Sequence, residues 1–170
     1  MKSFLPGILG LAFLGIIACE SSAPDTYERV EYFENGQVSR RSRLVHGKKE
    51  GLMTDYYNNG KLMAERNFVQ GEQHGRTVIY YPGGQIKEVQ YFEHGKKQGG
   101  DTLWYENGNI QFVSTLKEDK LNGYLRKWSP KGELVYEAKY DLDTLIEVQG
   151  QPIDRNTSAA KPSQILKKKD

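Results

Sequence analysis

The side chains able to do chemistry in this chain are few and scattered. His46, His74 and His94 all fall in polar, glycine-containing segments, and His46 and His94 hold equivalent places 48 residues apart. A metal needs several ligands converging on one point, and the chain has one cysteine and no HxxxH spacing, so no metal site is expected. Glu34, Glu106, Glu118 and Asp119 could in principle pair for acid–base work, but acidic residues in such segments ordinarily sit solvated on surface turns. No serine nucleophile elbow, phosphate-cradling loop or dinucleotide fingerprint occurs. Neither catalytic residues nor a cofactor are expected, and the chain does not read as an enzyme.

Two other chemistries remain. The first lies at Cys19, the only cysteine, which therefore has no intramolecular disulfide partner. It follows Lys2, an almost wholly apolar stretch from Phe4 to Ile17, and the triplet Ile16-Ile17-Ala18. The stretch is short for a membrane span and has the layout of a secretory signal peptide. The triplet before Cys19 resembles the bacterial lipoprotein lipobox, which implies cleavage before Cys19 and diacylglycerol on its thiol. Two or three acyl chains would hold such a protein durably on a membrane, where one alone binds marginally. The expected address is the bacterial cell envelope, by lipid anchor, on the outer membrane if there are two.

The second chemistry is aromatic. Tyr32-Phe33, Tyr56-Tyr57, Tyr80-Tyr81, Trp104-Tyr105 and Trp128-Ser129 recur every 24 residues without slippage. Glycines keep the same step at Gly36, Gly60, Gly84, Gly108 and Gly132, and again at Gly51, Gly75, Gly99 and Gly123. A fixed period of this size marks one supersecondary unit copied along an axis. Rows of Tyr and Trp either stack to stabilise a sheet or form a docking face for a protein or glycan. The candidate binding residues are Phe33, Tyr57, Tyr81, Tyr105, Trp104 and Trp128, and the row Phe33, Tyr57, Tyr81, Tyr105 is expected to be the more exposed.

The elements that carry these rows can be read from the aligned units. One apolar column is Val38, Leu62, Ile86, Ile110, Leu134; six residues later comes Leu44, Phe68, Phe92, Leu116, Tyr140. An even offset predicts that both columns share one face of an extended strand. Segments such as Glu93-His94-Gly95-Lys96 follow, where glycine supplies the positive φ of hairpin turns. A second strand, for example Arg76–Tyr81, ends at a turn such as Pro82-Gly83-Gly84. Each unit is thus a β-hairpin, and hairpins, being marginal alone, must pair edge to edge. The expected fold is all-β: an extended, twisted antiparallel meander of about five 24-residue units in a single-sheet ribbon. Thr26 to Glu31 reads as a half unit at the front, and the last unit loses the pattern at Asp143 and Glu147, where glycines are expected. The divisions are residues 1–18, signal peptide; 19–26, polar tether; 27–148, repeat domain; 149–170, a disordered tail.

Units such as Tyr57-Asn58-Asn59-Gly60-Lys61-Leu62, followed by Phe68, Gly71 and Gly75, resemble the bacterial variant of the MORN repeat. The resemblance covers about Tyr32 to Tyr140 and implies a hairpin array. Bacterial proteins of this type are grouped with YwqK-type antitoxins, which implies a partner toxin. The lipobox departs from that pattern, because it places the chain outside the cytoplasm. The formal charge of +2 falls to +1 without residues 1–18, whose only charged residue is Lys2. This lacks the basic footprint of a nucleic-acid binder. The function expected is a membrane-anchored, non-catalytic, monomeric module that contacts an envelope protein. Immunity against a toxin, and glycan or lipid-headgroup binding through the aromatic rows, are the alternatives.

Overall fold

The structure, a computed structural model, describes residues 25–153. The signal peptide, Cys19, most of the polar tether and all but the start of the tail lie outside these residues. Among the described residues there is no helix, and fifteen strands form one open sheet. They are β1 (Thr26–Tyr32), β2 (Val38–Val45), β3 (Lys48–Lys49), β4 (Gly51–Tyr56), β5 (Leu62–Val69), β6 (Glu72–Gln73), β7 (Gly75–Tyr80) and β8 (Ile86–Glu93). They continue as β9 (Lys96–Trp104), β10 (Ile110–Lys117), β11 (Lys120–Leu121), β12 (Gly123–Trp128), β13 (Leu134–Asp141), β14 (Thr144–Val148) and β15 (Gln151–Pro152). Every pairing is antiparallel and follows chain order, giving the expected meander and not a solenoid. β15 falls within the segment that the sequence assigns to the tail.

Two kinds of turn alternate along the borders of the ribbon. At one border the central residues both have positive φ, as at His46 (48°) and Gly47 (77°), which is the type I′ turn whose twist matches the flanking strands. The last two turns at this border carry Asp119 (68°) and Asp143 (69°) in the glycine's place, whereas Gln149 (50°) and Gly150 (76°), between β14 and β15, restore the glycine. Asp tolerates the left-handed region better than most residues, so the final unit keeps its turn although its glycine is gone. Each aspartate also reaches the preceding unit. Asp119 Oδ1 accepts from the Lys97 N–H at 2.7 Å, and Asp143 Oδ1 accepts from the Leu121 N–H at 2.8 Å. At the opposite border Phe33, Tyr57, Tyr81, Tyr105 and Ser129 open five-residue turns. In each, the opening N–H donates to the carbonyl four residues on, as from Tyr57 to Lys61 at 2.8 Å.

The register overturns one expectation. Tyr56 pairs with Leu62, but Asp55 pairs with Ala64, so Met63 is an extra residue in the bulged strand β5. Cross-strand partners share a face, and Tyr56 and Gly51, the partners of Leu62 and Phe68, lie five residues apart on β4. Leu62 and Phe68 therefore face opposite sides. The same shift recurs at Ser39, Lys87, Gln111 and Val135. It inverts the Val38–Leu134 column relative to the Leu44–Tyr140 column in every unit.

The two faces consequently differ. On one, which we call the packed face, Ser42, Leu44, Met53, Asp55, Ala64, Phe68, Thr77, Gln90, Asp101, Ser114, Leu125, Ala138 and Val148 are buried. The other, the outer face, buries only Val78 and Val89 among the described residues. A single sheet has no second layer to cover it, so its core is made by side chains lying along the packed face against their cross-strand neighbours. Six of those buried side chains are polar.

Candidate binding surface

The two aromatic rows have separate jobs. The second row closes the ribbon on itself: the Tyr57 hydroxyl donates to the Tyr80 carbonyl at 2.7 Å, Tyr81 to Trp104 at 2.6 Å, and Tyr105 to Trp128 at 2.9 Å. Each bond crosses from one unit to the next, satisfying a carbonyl at the border turn. Phe33, Tyr57, Tyr81 and Tyr105 are all half-buried, so this row is not the more exposed one. Burial, and next the negative charge of Glu106, raise the Tyr81 hydroxyl above its ordinary value. That agrees with a phenol held as a donor.

The first row lies on the outer face and is paired, strand by strand, with the inverted apolar column. Tyr32 opposes Val38, Tyr56 opposes Leu62, Tyr80 opposes Ile86, Trp104 opposes Ile110, and Trp128 opposes Leu134. The result is one stripe of alternating aromatic and aliphatic side chains running across the strands. Its aliphatic members become exposed toward the C-terminal half: Ile86, Ile110 and Leu134 keep 41, 40 and 54% of their surface. The bulge that inverted the column is what delivers it here. Tyr80 is fixed in the stripe by donating its hydroxyl to Glu65 at 2.7 Å; this bond is the main reason its titration is raised.

Clefts of about 450 Å³ open between units beside the border turns. Phe33 and Tyr57 line one with Glu31, Arg40, Asp55 and Met63; Tyr105 and Trp128 line another with Glu88, Phe112 and Lys127. Trp104 and Trp128 each also contribute a carbonyl to a staple, from Tyr81 and Tyr105 respectively.

Buried charge beneath these clefts was hidden in the sequence. Asp55, only 1% exposed, accepts from Arg40 Nε at 2.5 Å through one carboxylate oxygen and from Arg66 through the other. Burial, and next the Arg40 charge, lower the Arg66 titration. Farther along the face Asp101 accepts from Lys97 Nζ at 3.2 Å and from Gln90 at 3.4 Å, while its Oδ1 is buried without a partner. Gln90 also donates to Glu88. Burial, and next the Asp101 carboxylate, push the Glu88 carboxyl above its ordinary value. No pattern of period two separates these residues from solvated ones; the strand order alone brings them together.

His46 and His94 stay at turns, while His74 lies between β6 and β7 and meets His94 edge to face, with ring centroids 5.9 Å apart. Among the described residues no group of three or more His, Cys, Asp or Glu side chains could hold a metal ion. Nor is any helix among them long and apolar enough to cross a membrane.

Residues 49–70 and 73–94 match the MORN repeat variant. The two segments begin 24 residues apart, and each runs from the end of one short strand, through a hairpin, to the next type I′ turn. No curated protein matches the chain. The turn geometry recurs past the matched segments: the turns opened by Tyr105 and Ser129 carry the same hydrogen bonds as those opened by Tyr57 and Tyr81. MORN repeats are non-catalytic modules that commonly mediate protein or membrane contacts.

Proposed function

We propose that this chain is a non-catalytic interaction module of the bacterial envelope, tethered by lipid on Cys19, that receives an envelope protein on its outer face. The observation that supports this reading is the stripe from Tyr32–Val38 to Trp128–Leu134. It is continuous across the sheet, yet Ile86, Ile110 and Leu134 remain uncovered. Exposed apolar side chains in a row, rimmed by polar ones, mark a place where proteins dock. The Tyr57, Tyr81 and Tyr105 hydroxyls are already committed inside the ribbon, so the recognition falls to Trp104, Trp128 and their aliphatic partners.

The test is affinity capture of the lipidated protein from cross-linked cells, beside Cys19→Ala and beside Ile110→Glu/Leu134→Glu. The double substitution touches exposed positions, so the fold should persist by circular dichroism. Mass spectrometry of the mature amino terminus should show acylated Cys19. A protein captured by the wild type and lost with both variants supports the reading. Capture unchanged by the double substitution would remove the stripe from it, and an unacylated Cys19 would remove the anchor.

A further inference from the structure

The two ends of the sheet are not equivalent. At the C-terminal end β15 has two residues, and one is Pro152, which has no N–H to offer a neighbour. At the N-terminal end β1 is a seven-residue strand paired on one side only, with β2. We propose that β1 pairs with β1 of a second copy of this chain, joining two ribbons into one sheet.

The backbone restricts how this could happen. His46 N–H donates to the Asp25 carbonyl at 2.6 Å, so Asp25 bonds inward and the alternation continues along β1 at Tyr27, Arg29 and Glu31. Thr26, Glu28 and Val30 then direct their N–H and C=O groups to the free edge, with Tyr32 following in phase. A two-fold antiparallel pair must set outward residues opposite outward residues. Only registers centred on a single residue meet that condition.

Overlap and charge select among them, since centring on Thr26, Tyr27 or Tyr32 leaves at most three residues of β1 paired. Centring on Glu28, Arg29 or Glu31 brings that charge against its own copy across the axis, which destabilises a strand pair. Centring on Val30 opposes Val30 to Val30, sets Arg29 across from Glu31 twice, and places Glu28 beside Tyr32. Arg29 is exposed and has no carboxylate partner among the described residues; its contact is with Tyr27, whose hydroxyl it meets at 3.2 Å. Glu31 is held only loosely, 3.8 Å from Arg40. The pair would supply each with a cross-strand partner on the packed face.

Tyr32 points the same way. It is 63% exposed, while Tyr56, Tyr80, Trp104 and Trp128 in the same row are half-buried. Those four have a strand on each side, whereas Tyr32 has one. A second β1 provides the missing neighbour. This departs from the monomer expected from the sequence, which shows the repeats and not which edge they leave open.

Sedimentation equilibrium of the detergent-solubilised full chain, with detergent density-matched, tests this. The wild type should show a concentration-dependent dimer. Arg29→Glu should weaken it about tenfold or more by replacing two opposite-charge pairs with two like-charge pairs. Arg29→Glu/Glu31→Arg should restore it, since the swapped charges again oppose. In a Cys19→Ala background, Val30→Cys should oxidise to a disulfide dimer and Arg41→Cys should not. A chain that is monomeric at all concentrations overturns the proposal. So does a dimer indifferent to Arg29→Glu, or one that the charge swap fails to restore while circular dichroism shows the fold intact.

Discussion

Replacing Asp55 by Ala should destabilise the sheet out of proportion to the size of the change. The carboxylate is 1% exposed and lies between Arg40 and Arg66, with Ala64 as its fully buried cross-strand neighbour. Removing one partner of a fully buried ion pair costs ~3–5 kcal/mol, because a charge is left without compensation. Here the Arg40 and Arg66 side chains retain 37 and 26% of their surface, so both guanidiniums can regain water. The expected loss is therefore about 2–3 kcal/mol, which for a chain of this length corresponds to a melting temperature lower by roughly 5–10 °C. Urea unfolding followed by circular dichroism gives the free energy directly. A double-mutant cycle adds the decisive reading: in the Asp55→Ala background, Arg40→Ala should cost less than in the wild type, because it removes a repulsion from Arg66. A loss below about 0.5 kcal/mol, the range of ordinary surface substitutions, or additivity in the cycle would refute the argument that this triad is a unit.

Tyr81→Phe deletes one staple between units and should cost about 1 kcal/mol, with hydrogen exchange accelerating at the Tyr81–Gln85 turn; no change in either would show that the hydroxyl bond is dispensable. The folded Glu88 binds its proton more tightly than the unfolded one, so its contribution to stability is full below the ordinary carboxylate value near pH 4.5 and is lost as pH rises through the raised one. Glu88→Gln should therefore flatten this fall in urea titrations from pH 4 to 8 and raise stability at neutral pH. An unchanged pH profile would exclude Glu88 as its source. Gly95 has φ 77° with open space where a side chain would lie. Gly95→Ala should thus cost ~1–2 kcal/mol from backbone strain alone. Gly95→Asp should cost less, since Asp119 and Asp143 show that an aspartate there can accept from the preceding unit; equal costs would contradict this.

The hairpins, their period and their turns were legible in the sequence because left-handed backbone selects glycine, which repeats visibly. Asp143 looked like a break because only glycine was counted, although aspartate fills the same backbone region. The faces were not legible. Ser39, Met63, Lys87, Gln111 and Val135 share no chemistry that would betray a bulge, and one extra residue is enough to turn a column over. The aromatic rows were recognised as candidates, but the row expected to be the more exposed is half-buried, and its tyrosines fasten units together. Asp55 and Asp101 escaped notice for a simpler reason. In a ribbon without a second layer, polar side chains are buried by their neighbours in the sheet, so hydropathy does not sort inside from outside.

The staples from Tyr57, Tyr81 and Tyr105 each span 23 residues and never reach beyond the adjoining unit. Each unit therefore senses only the one before it and the one after it. Excising Leu62–Gln85, a single period, would bring Tyr57 against Trp104 in the relationship it now has with Tyr80, and duplicating the segment would lengthen the ribbon by two strand spacings, about 10 Å. Length is thus an adjustable dimension of this architecture, in steps of whole repeats. A chain built this way can act as a gauge of distance, its reach altered without redesigning any contact inside it.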